Sequence, residues 1–200
     1  MDNEPVEVIE YKDHTIKIYQ DNYAESPDVW KDNNVFLVYS HRQFNIERDN
    51  FEPHAIFEHI KELHIRKDND NIVPLYNDYF IYNVYAYIHS GVSLALNNKS
   101  YPFNDRFDVS TTGFVLILKT EFDNDENKAK LAAESLIETW NDYLSNNIYL
   151  YEVWEKDKEL HSCGGFYGED HEKSSLLQQA KQEIDYNVNQ IKKCEAIMHI

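Results

Sequence analysis

Proline and glycine are scarce in this 200-residue chain, five of each, and cysteine and methionine appear only twice. So little glycine leaves no low-complexity tract and no flexible linker. It also leaves no phosphate-cradling loop, because GxGxxG is absent and Gly164-Gly165 lacks a following Lys-Ser/Thr. Two cysteines, Cys163 and Cys194, do not make a disulfide framework in a chain of this length. Long apolar runs are missing too: a stretch such as Phe114–Leu118 is far too short to span a bilayer. The chain opens Met1-Asp2-Asn3-Glu4-Pro5, without a basic start and apolar run, so the reducing cytoplasm is the expected location. Positive charge is the largest deficit. Lys and Arg number 19 against 36 Asp and Glu, a net charge of −17. Naked nucleic acid and anionic membrane are therefore poor partners, and a basic protein surface is a good one.

What is present is apolar and aromatic. The hydrophobic fraction is 42%, with 15 Tyr and 10 Phe, enough to bury a sizeable core despite the charge. Val6–Glu10 and Thr15–Tyr19 alternate apolar with polar residues around Lys12-Asp13, the pattern of a hairpin with one buried face. Residues 20–34 read as a loop. Val35–Tyr39 and Gly113–Leu118 are continuous apolar runs expected as buried strands. The Tyr-rich segment 73–87 and Val92–Leu96 are also β-like. Ile148–Val153 and the stretch around Leu160 form a strand pair linked through Lys156-Asp157-Lys158. Three helices are expected, at about 53–65, 123–145 and 169–197, from apolar residues at three- and four-residue spacing, with Asp123 or Asn124 capping the second. Strands precede helices in runs, which argues for one acidic α+β domain over residues 1–200. Its sheet is expected to be mixed or antiparallel, with the helices packed on one face.

Catalytic and metal signatures are not found. His54, His59 and His64 recur every five residues, which spreads them around a helix; neither a Cys pair nor HExxH occurs. His89-Ser90-Gly91 is not a nucleophile elbow. One segment stands out locally: Cys163, Gly164, Gly165, Phe166, Tyr167 and Gly168. Three glycines there permit positive φ, and the balance favours a structural corner around a buried thiol. The alternative is a cysteine-dependent enzyme centred on Cys163, with His161, His171 or His89 as base. No cofactor and no metal are expected.

Charge placement remains. Asp21, Glu25, Asp28 and Asp32 lie in the first loop, and Glu121, Asp123, Asp125, Glu126, Glu134, Glu138 and Asp142 around the second helix. Carboxylates on a rigid scaffold can occupy a basic groove built for phosphate. A solvated helix face is the plain alternative, and Lys128 and Lys130 interrupt the series.

Several segments in chain order resemble a family of small proteins carried by phages and plasmids of Gram-positive bacteria. They are Val8–Ile18, Ile88–Leu94, Thr112–Val115, Trp140–Ser145 and Ser162–Gly168. The last resembles the family motif Asp-Ser-Cys-Trp-Gly-Phe-Tyr-Gly, with His161 and Gly164 in place of the acid and the tryptophan. The resemblance implies a mobile element, where small acidic proteins often antagonise host defence, either restriction or CRISPR. The expected function is a binding protein that inhibits such a nucleic-acid-handling complex. The expected partner is a basic host protein or nucleoprotein, with no membrane and no direct nucleic-acid binding. The other reading is a non-catalytic regulatory module, a homodimer through residues 76–87.

Overall fold

Alternation and turn chemistry build the first hairpin. In the computed structural model, which describes residues 4–30, 34–41, 44–46, 78–88, 91–96 and 109–198, β1 (Glu7–Tyr11) pairs antiparallel with β2 (His14–Gln20). Lys12 and Asp13 between them both take positive φ, 49° and 62°, as a two-residue turn matching strand twist requires. The chain then leaves this sheet and returns more than a hundred residues later. β8 (Ile148–Glu155) lies antiparallel to β2, and β9 (Lys158–Tyr167) pairs with β8, giving the order β1-β2-β8-β9. Ile16, Ile18, Tyr151 and Val153 turn to one face and are buried against Leu176, Leu177, Ala180 and Ile184 of a C-terminal helix, Leu176–Met198.

Among the described residues the second sheet has five strands. β3 (Val35–His41), β4 (Phe44–Ile46), β5 (Tyr79–Ile88), β6 (Val92–Leu96) and β7 (Val109–Leu118) take the order β4-β3-β7-β5-β6, and every pairing is antiparallel. β3 and β7 are continuous apolar runs because both of their faces are buried. Leu37, Tyr39, Val115 and Ile117 face helix α1 (Glu126–Leu144) and its Ala129, Ala133, Ile137 and Trp140. Phe36, Val38, Phe114 and Leu116 form a separate cluster on the opposite face. Gly113 has no side chain because the Tyr39 ring occupies that space.

The architecture is therefore α+β with two antiparallel sheets, not one, and each sheet carries its own helix. The contacts divide the chain into two compact units, Met1–Glu25 with Asn146–Ile200, and Ser26–Ser145. Two helices, α1 and α2 (Leu176–Met198), stand among the described residues; the expected helix at 53–65 lies outside them.

Both helices start later than the sequence suggests, for a local reason. Asp123 and Asn124 sit at φ 55° and 57°, so neither caps α1. Asp125 does, its side chain accepting from the backbone N–H of Asn127 and Lys128 at 2.9 and 3.3 Å. Before α2, Asp170 accepts from the N–H of Glu172 and Lys173, and Ser175 has φ 66°, so residues 169–175 form a turn.

Candidate functional site

The glycine motif resolves into a bulge with a buried acid at its centre. Tyr149 stands opposite Phe166 and Tyr151 opposite Cys163, so β9 carries one more residue than β8 across this interval. Gly165 absorbs it at φ 82°. The freed Gly165 N–H donates to Asp21 Oδ2 at 3.0 Å, while Asp21 Oδ1 accepts from Tyr23 N–H at 3.1 Å. A Cβ at Gly164 would lie 2.5 Å from that Oδ2 and 3.3 Å from Leu150 Cβ, which explains the glycine there. Gly168 at φ 100° turns the chain out of the strand, its N–H donating to Asn147 O at 2.9 Å, and the Tyr167 hydroxyl donates to Glu25 O at 2.7 Å.

Asp21 is thus only 9% exposed and engaged in internal hydrogen bonds, unlike the surface acid expected from its place in the loop. The rest of the acidic set divides between the units. Glu25 is exposed in the first. In the second, Asp28 is exposed in the short 3-10 turn Pro27–Val29, and Glu121 in the 3-10 turn Lys119–Phe122. Asp32 lies outside the described residues. Around α1, Asp123, Glu126 and Glu138 are exposed, and Asp125, Glu134 and Asp142 are partly buried. Lys128 Nζ stands 2.8 Å from Asp123 Oδ2, and this hydrogen bond holds the carboxyl below its usual range and the ammonium above its own. Lys130 meets Glu134 more loosely, at 3.8 Å. Glu126, Lys130, Glu134, Glu138 and Asp142 follow one another at four-residue steps, each about 6 Å along the axis.

Cys163 is half-buried on the face of β9 that packs toward α2. Gln179 Nε2 donates to its Sγ at 3.8 Å, and Gly164 O accepts from the thiol at 3.9 Å. Neither is a base. His171 is held by Glu7, Nδ1 to Oε2 2.8 Å, with its ring edge-on to Tyr149, and His161 stacks obliquely near Tyr151 at 5.9 Å. His89, like His54, His59 and His64, lies outside the described residues. No three His, Cys, Asp or Glu residues among the described ones are placed to hold a metal ion. No described helix is long and apolar enough to cross a membrane.

Two arrangements escaped the sequence. Tyr151, fully buried, ends in a hydroxyl with no hydrogen-bond partner. Burial, reinforced by Cys163 and Glu183, pushes its pKa up to about 12. Gln179 lies near enough to favour the phenolate slightly, but its amide donates to Sγ and forms no well-shaped bond to the hydroxyl. On the opposite face of the same sheet, Lys17 sits 4.0 Å above the Trp154 ring, and Trp154 Nε1 donates to Glu152 at 2.8 Å. Burial, then the Glu152 carboxylate, raises the Tyr19 hydroxyl there. The period-two alternation of β8 was the available signal for the second group; for the first there was none, since its members come from β8, β9 and α2. Compared with known proteins, the chain matches no family model, no curated protein and no solved structure.

Proposed function

We propose that this chain is a binding protein of a phage or other mobile element. In this reading it inhibits a host defence complex that handles nucleic acid, of the restriction or CRISPR type, by offering carboxylates to a cationic cleft. One observation carries the reading: exposed acids gather on α1 and the turn before it, where Glu121, Asp123, Glu126 and Glu138 all face solvent. Glu121, Asp123 and Glu126 lie within six residues of one another, and Glu138 stands twelve residues, about 18 Å, further along the helix. A lysine- or arginine-lined groove shaped for phosphates would meet a knot of carboxylates at the start of α1 and a further one beyond it. The net charge of −17 steers such an encounter, and screening by salt weakens it. The resemblance of Ser162–Gly168 to the phage and plasmid family supports the setting, while the bulge gives that motif a structural role.

The test is DNA cleavage by purified restriction and CRISPR nucleases with the chain added. Cutting should fall, more at low salt than at high. Glu121→Gln, Glu126→Gln and Glu138→Gln together should restore it without changing the circular dichroism spectrum. Uninhibited cutting by every nuclease tried, at every salt, overturns the proposal.

A further inference from the structure

The outward side of α2 is unlike that of α1. Gln178, Gln182, Tyr186 and Asn189 are all exposed. At 100° per residue they fall within about 80° of one another, a stripe about 16 Å long. From Gln178 to Asn189 it contains no charge, on a chain of −17, and Tyr186 at one edge of it is 62% exposed. The nearest charges on one flank are turned to their own unit: Lys181 Nζ lies 3.2 Å from Glu172, and Asp185 is held by Lys12 at 2.6 Å. Glu183 stands on the other flank, beyond Gln179.

We propose that this stripe is a homodimer interface, α2 lying antiparallel on α2 of a second copy. Charge selects the occupant. A cationic partner gains nothing from a neutral ridge when carboxylates are displayed elsewhere. A second copy is repelled wherever carboxylates oppose each other, and least where none stand. A twofold contact also needs a patch that complements itself. Gln and Asn provide that, since each side chain carries both donors and an acceptor, and Tyr186 adds an aromatic of the type enriched at interfaces. A patch of about 16 by 10 Å is small beside a standard interface of about 800 Å² per partner, so the dimer belongs to the weak, transient class.

Sedimentation equilibrium of the whole chain from about 10 μM to about 1 mM tests this. The expected result is a monomer–dimer equilibrium that tightens as salt rises toward about 0.5 M, because screening relieves repulsion between like-charged copies. Gln182→Glu and Gln182→Lys should each weaken dimerisation at least about tenfold, and mixing the two in equal amounts should restore it. Circular dichroism confirms that each variant folds. Leu131→Glu, on the exposed side of α1, should leave the equilibrium unchanged. A concentration-independent monomer at high salt overturns the proposal. So does a dimer indifferent to both Gln182 variants, or a mixture that fails to restore what each variant loses.

Discussion

Replacing Gly164 by alanine adds one methyl group to a backbone that accepts it, since Gly164 does not lie in the left-handed region, so the effect is one of space. The new Cβ would stand 2.5 Å from Asp21 Oδ2, and the carboxylate must move away. Moving it breaks the 3.0 Å bond from Gly165 N–H and disturbs the 3.1 Å bond from Tyr23 N–H. A hydrogen bond to a charged group contributes about 1.5–3 kcal/mol, and Gly165 is exposed enough for water to replace part of it. A loss of about 2 kcal/mol follows for Gly164→Ala, and a similar loss for Asp21→Ala. The two losses share a cause. With Asp21 already truncated, the alanine at 164 meets only Leu150 at 3.3 Å, so the double variant should lose about 2–2.5 kcal/mol, not 4. Urea unfolding of the four proteins, followed by far-ultraviolet circular dichroism, reads the cycle. Losses that add to within about 0.5 kcal/mol would show that Asp21 and the bulge are independent and refute the account of the motif. A negligible effect of Asp21→Ala would do the same.

Other consequences are simpler to check. Tyr151 is raised to about 12 in the fold against about 10 unfolded. The stability this represents is fully present below pH 10 and is lost as pH rises toward 12, by at most about 2.7 kcal/mol at 1.36 per unit. Tyr151→Phe should flatten that alkaline decline, leaving the parts due to Tyr19 and Tyr82, which burial also raises, and should cost little at neutral pH because the hydroxyl it removes has no partner. Asp185 is held below the usual carboxylate range by its hydrogen bond from Lys12. Lys12→Met should return it to that range, read by NMR titration; the Lys12 pair stabilises above the ordinary carboxylate pKa and is lost as pH falls through the depressed one. Asp125→Ala removes the cap of α1 and should cost about 1 kcal/mol, seen as a lower urea midpoint.

Much of the strand content was legible. The hairpin of β1 and β2 announces itself by alternation and by Lys12-Asp13, and β3, β6 and β8 coincide with the apolar runs read from the chain, while β7 starts four residues before the run Gly113–Leu118. Those signals are local, set by which faces a strand buries. The split into two sheets is not local: β2 finds its second neighbour in β8, a pairing that nothing near Thr15 or Trp154 encodes. Asp21 shows the same limit at one residue. Among 36 acids it looks like any other, and its role depends on a glycine 144 positions away. The helix starts were missed because Asp123, Asn124 and Ser175 take left-handed backbone that residue type alone does not require.

Asn141 of α1 presents its side-chain amide to Leu94 of β6, Oδ1 accepting the N–H at 2.7 Å and Nδ2 donating to the carbonyl at 2.9 Å. Among the described residues β6 is the last strand of its sheet, and a terminal strand invites another chain to continue the ladder. The amide answers both backbone groups of Leu94 as a neighbouring strand would, so a would-be sixth strand finds that seat taken. An Asn141→Asp exchange would set a carboxylate oxygen against the Leu94 carbonyl and leave that carbonyl open to a new neighbour.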